Sequence, residues 1–524
     1  MTTAKKTLSL LLSALLLTGA LAGCGNKESA ASASPSASAS ADQMADDFTF
    51  GVYNFSKMDP ADTYNGWATI RYGIGETLFR LDDNIQAVPW LAKEYKLSDD
   101  KLSWTITLND NIRFSNGKAV DGEAVKACLT RLNENNERAK SALMLASVTA
   151  DGNSVTIRTT APNPTLINDL CDPYACIIDT TADTDFETKP IGTGPYAVKD
   201  YVDDDHCTLE ANSYYWDGKP KCKTVTVKGI SDVDTLALAM QNGEIDAAYG
   251  LSYDTLDTFQ GNPSFAITQT ATTRVYMLYF NMNHAYMNDP NFRRAVCMAV
   301  DKKSYGGTIL NGAGTATKAA FPSMLRYGDS SKMTDVPDYD PEGAKKLLAE
   351  SGYTLSDGKL MKDGKQVALK LVTYGRTGLP QSSQALQSAL QNLGIKVDYQ
   401  QYEAVEDVLT ADQFDICAYA IVTTPTGDPA AFLNLTMGTG KSGNYGHYSS
   451  SEVDKLLSEL DTEFDTDKRS DDAAKIQQLA LKDSAYSYMF HLNMFMVTKA
   501  GVTGIQQSPV DYYQITKDTA KPAK

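Results

Sequence analysis

Two rhythms of apolar residues divide this chain. A period of two marks half-buried strands at 49–55 (TFGVYNF), at 103–110 (SWTITLND), and around Val225, Val227 and Ile230. A helical period marks 121–133, with Asp121 placed to cap the first turn and Val125, Leu129 and Leu132 on one face. The same period predicts a helix carrying Leu236, Ala237, Met240 and Ile245. Residues 69–81 (TIRYGIGETLFRL) read as a helix entering a turn, and 112–120 (IRFSNGKAV) as a hairpin-like return.

In the second half a strand at 272–283 gives way to a helix at 291–303. Helices follow at 341–351, 381–393 and 451–459, and strands at 367–374, 395–402 and 414–421, the βαβ rhythm of a parallel or mixed sheet. A final strand at 487–499 carries the chain back toward the first half. No repeat of tens of residues is visible, which excludes a solenoid.

The beginning of the chain has a different character. Lys5 and Lys6 precede an apolar run over 8–21, too short for the roughly 20 residues of a spanning helix but suited to a secretory signal. Residues 29–41 are almost wholly Ser and Ala, a composition that behaves as a flexible tether. The expected division is a leader over 1–23, a tether over 24–46 and a folded part from 47 onward.

A formal charge of -17 argues against nucleic acid and against basic-patch binding to an anionic membrane. Seven of the eight cysteines follow Cys24, so at least one thiol is left without an intramolecular partner. Cys128 and Cys297 fall on apolar helix faces, and Cys207 and Cys222 flank a strand-turn-strand segment that leaves their pairing open. Enzyme motifs are missing. The sequence holds no Walker A, GxSxG or HExxH, and its four histidines are far apart. The stretch 192–197 matches GxGxxA, but Pro195 removes an amide the phosphate turn needs and no amphipathic helix follows.

The order of motifs carries more information than any one of them. IGTGPY (191–196), NSYYW (212–216), KP at 219–220 and a helix ending in GEID are joined by PWLAKEY (89–95), YFNMN (279–283), NFRRAVCMAVDKK (291–303) and HYSSSEVDKLL (447–457). Together they resemble the large extracytoplasmic solute-binding proteins of ABC importers that serve peptides and nickel. The resemblance implies an α/β fold of two lobes joined by two crossing segments, with the ligand cleft between them. It places lobe I at 47–278 with a return and tail at 490–524, and lobe II at 279–489. Leu21-Ala22-Gly23-Cys24 resembles a lipobox, implying lipid on Cys24, an extracytoplasmic location at the membrane and permease subunits as partners of a monomeric receptor. No cofactor is implied; a metal would be cargo.

Within that family the nickel branch has an arginine after the 121–133 helix that contacts chelator carboxylates, and Arg138 falls at that place. Arginine suits the task because its planar fork gives two charge-assisted hydrogen bonds to a carboxylate. Trp67 and Arg71 would share a helix face and line the cleft. A second arginine of the nickel branch corresponds to Tyr174, and its aromatic residues before the DP motif to Thr423 and Gly427. His447, with Asn444 and Tyr445 beside it, lies in the loop where that branch presents a histidine to the metal. Peptide binders carry an Asp four residues before the proline of this motif; here that position is Pro425. The expectation is therefore a receptor for a nickel chelate, with an oligopeptide or dipeptide receptor as the alternative and a secreted hydrolase or adhesin as a remote one.

Overall fold

Two long strands run through both halves of the molecule, as seen in a computed structural model describing residues 44–523. The leader, Cys24 and the Ser/Ala-rich segment up to residue 43 lie outside the described residues. The first crossing strand is Phe265–Phe280 and the second Tyr486–Lys499. They pair antiparallel from Phe265 opposite Lys499 to Tyr279 opposite Tyr486, with the ladder interrupted between Ala271 and Val275. On one side of that break the second crossing strand pairs with Ala247–Tyr249, and the sheet continues through Asp47–Val52, Thr224–Gly229, His206–Ala211 and Tyr196–Val202. On the other side the first crossing strand pairs with Ile416–Val422, and the sheet continues through Ala368–Tyr374 and Lys396–Tyr402. These halves are lobes I and II.

Asp47–Val52 is parallel to both of its neighbours, and Ala368–Tyr374 is parallel to Lys396–Tyr402. Parallel neighbours need a crossover, which the helices Val233–Gln241 and Leu379–Asn392 supply. A separate antiparallel sheet of Ala92–Leu97, Ser103–Leu108, Ser154–Thr159 and Leu145–Asp151 packs with the helix Gly122–Asn135 as the outer part of lobe I. Asp121 caps that helix by accepting from the Ala124 amide at 3.0 Å, and Val125, Leu129 and Leu132 are buried.

Several expectations needed correction. The helix read over 69–81 is Gly66–Arg71, and Gly73 turns the chain with φ +68 where an added Cβ would lie 2.8 Å from the Ile515 carbonyl oxygen. Ile245 lies beyond the end of its helix, though fully buried. The return at 112–120 is only a tight turn with one bridge, Arg113 to Ala119. The longest helix among the described residues, Thr466–Lys482, had no counterpart in the sequence reading; it buries Ala473, Ala474, Ile476, Ala480 and Leu481 together with the amide of Gln477. Cys207 and Cys222 are not paired: all seven described cysteines are buried free thiols. Burial pushes the thiol of Cys207 up to about 12 and that of Cys222 to about 11, so both stay protonated and unreactive.

The glycines of IGTGPY serve close packing. A Cβ on Gly192 would lie 2.2 Å from the Ile74 carbonyl oxygen, and one on Gly194 2.3 Å from that of Gly73. The facing segment carries Glu76, fully buried, which accepts from Tyr215 Oη and Trp216 Nε1 at 2.8 Å each. The motifs GTGPY and NSYYW thus fold around one carboxyl group.

Lobe II touches lobe I through the loop 423–429. Asn168 Nδ2 donates to the Thr426 carbonyl at 2.9 Å, and Tyr512 Oη donates to that of Pro425 at 3.0 Å. Asp428 is held by Arg469 at 2.6 and 2.7 Å. Gly427 has φ +81, and a Cβ there would stand 2.5 Å from the Ile85 carbonyl oxygen. Gly427→Ala should therefore lower stability by about 1–3 kcal/mol, read from denaturant unfolding; an unchanged midpoint would mean that this contact is not tight.

Burial raises Glu76 from 4.5 to about 7. Between those values the unfolded chain has released a proton that the folded chain keeps, so this group's contribution is complete below the unfolded value and is lost as pH rises toward 7. Its size is on the order of 3 kcal/mol. Asp169, raised to about 7 by burial and by nearby Asp428 and Asp172, adds a slope of the same sign. Unfolding measured across this range should show stability falling as pH rises, and Glu76→Gln should reduce the slope without abolishing it.

Candidate functional site

The break in the crossing-strand ladder opens onto a cavity of about 680 Å³ with walls from both lobes. Lobe I contributes Tyr53, Trp67, Arg71 and Tyr249; the crossing strands contribute Arg274 and Leu492 to Phe495; lobe II contributes 375–381. These positions follow from the fold, since the loop 375–378 leaves the carboxyl end of Ala368–Tyr374, where crevices form in open α/β sheets.

Trp67 and Arg71 lie one helical turn apart and both reach the cavity. Arg71 is 5% exposed, donates to Asp511 Oδ2 at 3.2 Å and lies over the Tyr249 ring at 5.0 Å. Tyr249 Oη donates to the same Asp511 carboxylate. Trp67 packs on Tyr512, and its buried Nε1–H has no acceptor among the described residues. Opposite stand Arg274 and Arg376, whose side chains donate to no carboxylate or carbonyl among the described residues. Burial, then the like charge of Arg376, holds Arg274 below the usual arginine value.

The other sequence candidates lie elsewhere. Arg138 makes a bidentate pair with the buried Asp172 at 2.6 and 3.0 Å, between the rings of Tyr64 and Tyr174 at 4.6 Å each. Tyr64 meets Trp67 edge-on at 5.6 Å, so this cluster backs onto the cavity wall without lining it. Thr423 is fully buried and donates to the Thr273 carbonyl at 3.0 Å. Asn444 is buried and staples its own loop, donating to Gly438 and Tyr448 carbonyls and accepting from the Tyr448 amide. Tyr445 packs edge-on against Tyr279, and His447 Nε2 faces Asp412 Oδ1 at 2.5 Å. These last three line a separate cavity of about 380 Å³ in lobe II. Among the described residues no three His, Cys, Asp or Glu are grouped to hold a metal ion.

The sequence reading missed Arg274 and Arg376. Arg274 did carry a signal, a charge inside the otherwise apolar strand run TTRVYMLYF. Arg376 sits between Gly375 and Gly378 in a loop whose importance only the sheet topology reveals.

Comparison with known proteins bears on this arrangement directly. The family model "Bacterial extracellular solute-binding proteins, family 5 Middle" matches residues 86–444. The chain belongs to that family. This solute-binding protein is a substrate-binding component of an ABC importer and works outside the cytoplasm. It is 28% identical over 448 residues to the nickel-binding protein NikA of Staphylococcus aureus, covering 85% of this chain and 89% of the relative. It is 26% identical over 465 residues to the oligopeptide-binding protein AppA of Bacillus subtilis, covering 84% and 85%. The crystal structure of a nickel ABC transporter protein from Bacillus halodurans superposes with a TM-score of 0.80 at 29% identity, over 91% of this chain and all of that one. No helix among the described residues is long and apolar enough to cross a membrane.

Arg138→Ala should act on stability before affinity. It strands the Asp172 carboxylate, 1% exposed, without its cation; because Arg138 is itself one-third exposed, the loss should be about 1.5–3 kcal/mol, the range for hydrogen bonds to a charged group. Denaturant unfolding of the ligand-free protein reads this directly, and an unchanged midpoint would release Arg138 for ligand contact.

Proposed function

We propose that this protein captures a metal chelate, nickel with a carboxylate-bearing chelator, between its lobes and hands it to membrane permease subunits. The observation that carries the reading is the interlobe cavity at the crossing strands, whose charged lining is three arginines and two aspartates. Guanidinium groups suit the carboxylates of a chelator, and the indole N–H of Trp67 offers another donor. The nickel-binding relatives support the same ligand class. A peptide receptor is disfavoured because Pro425 stands where an amine-binding Asp is expected and its carbonyl is taken by Tyr512.

In this reading the lobes, 47–278 with 490–524 and 279–489, turn about the two crossing strands. Lipid on Cys24 holds the monomeric receptor at the membrane, and its ligand leaves chemically unchanged, with no enzymatic step. Arg71 and Trp67 serve as ligand contacts from lobe I, while Tyr174 shapes the wall behind Arg138.

A thermal-shift comparison tests this proposal with Ni(II) alone, Ni(II) with histidine or a polycarboxylate, and a mixed peptide pool. Ligand at a hundredfold excess over Kd should stabilise the protein by about 2.7 kcal/mol, and only metal with chelator should do so. A shift with peptides alone, or turnover of any ligand, overturns the proposal.

A further inference from the structure

The seam between the lobes carries one carboxyl group more than it has cations to match. Loop 423–429 of lobe II meets the short helix Leu166–Asp169 of lobe I, where Asn168 Nδ2 donates to the Thr426 carbonyl at 2.9 Å. Three carboxyl groups gather there. Asp172 has Arg138 at 2.6 and 3.0 Å, and Asp428 has Arg469 at 2.6 and 2.7 Å. Asp169, partly buried, accepts from Thr165 Oγ1 at 2.7 Å and faces the Thr426 hydroxyl across the seam, but it makes no ion pair among the described residues. Two guanidiniums balance two carboxylates, so the group is neutral only while Asp169 keeps its proton. Its other titratable neighbours, Cys171 and Tyr174 of lobe I, are pushed well above their ordinary values by burial and stay uncharged. Farther out the same seam is formed by Trp104 of lobe I, stacked on Phe464 of lobe II at 6.2 Å, with Lys101 Nζ over that ring at 4.9 Å.

We propose that Asp169 is a proton-operated latch: uncharged, it lets loop 423–429 seat against lobe I, and ionised, it calls for water that only a parted seam supplies, so the receptor closes more readily in acidic surroundings. This inference rests on the reading of two lobes that turn about the crossing strands, and it adds a control on that motion. A carboxyl group enclosed without a cation beside it favours its neutral form, and by linkage the proton favours the enclosed state. With the seam formed, burial and then nearby Asp428 and Asp172 raise Asp169 to about 7. The proton's help in closing is therefore complete below the ordinary carboxyl range and is lost as pH rises to the raised value, by up to about tenfold in the closing equilibrium per pH unit. Glu76 titrates in the same range but is held by Tyr215 and Trp216 within lobe I, so it bears on stability and not on the seam.

Small-angle X-ray scattering of the purified ligand-free protein, from about pH 5 to about pH 8, tests this across the range in which the seam carboxyl titrates. The radius of gyration should rise with pH in the wild type. Asp169→Asn, which keeps an acceptor for Thr165 but cannot ionise, should hold the smaller value throughout, and Glu76→Gln should keep the wild-type rise. A wild-type radius indifferent to pH, a rise that Asp169→Asn retains, or a rise that Glu76→Gln abolishes would overturn the latch. Should Asp169→Asn fail to fold, the wild-type titration against Glu76→Gln decides the matter. Ni(II) with histidine or citrate, added at about pH 8, separates this failure from that of the receptor reading. Contraction on adding the chelate, with no response to pH, would overturn the latch alone; no contraction by either route would overturn the lobe motion as well.

Discussion

The antiparallel pairing of Phe265–Phe280 with Tyr486–Lys499 is the constraint on which the molecule depends. Buried backbone groups must be hydrogen-bonded, and these strands satisfy theirs by pairing with lobe I partners on one stretch and lobe II partners on the next. Where the ladder breaks, substitutes appear: Thr272 Oγ1 donates to the Leu492 carbonyl at 2.9 Å, and the Thr273 carbonyl accepts from the Thr423 amide and hydroxyl. The short strand Gly314–Ala316 covers the second crossing strand at Phe490 to Leu492. The lobes are therefore joined through one shared sheet and not separate. Register at the break fixes which side chains meet the cavity, because a one-residue slip would turn Arg274 to the opposite face.

Arginine identity alone says little about binding in this protein; its surroundings decide. Arg138 and Arg469 each hold a carboxylate in bidentate fashion, and Arg71 shares Asp511 with a tyrosine. Arg293 donates to the backbone carbonyls of Met287, Asp483 and Ser484. All four have partners on the protein, and Arg71 also lines the cavity. Against a chain of net charge -17, two guanidiniums left open in one cavity are a local inversion of sign.

The sheet strands and their crossover helices were legible because each obeys a simple period: Leu369, Leu371 and Thr373 point inward along one strand, and Leu379, Leu386 and Leu390 along the next helix. The motif order gave the family, and in the structure GTGPY and NSYYW pack against the one segment that carries Glu76. The cavity was much less legible. Its walls come from segments hundreds of residues apart, as in Trp67 with Arg274 and Arg376, and no local pattern encodes which arginine finds an acceptor. Motif transfer pointed to Arg138 and His447, but Asp172 and Asp412 stand within hydrogen-bond distance of them. Among the transferred positions, Asn444 has both amide hydrogens committed to its own loop.

The two ends of the described chain meet. Met44 bridges to Pro522, the Ala45 amide donates to the Lys521 carbonyl at 2.9 Å, and Lys521 Nζ binds Asp47 and Asp246 at 2.8 and 2.7 Å. A load applied at either described end, residue 44 or 523, thus enters the molecule at one corner of lobe I. A pair of distance labels at residues 44 and 523 would therefore report on that corner and not on the spacing between the lobes.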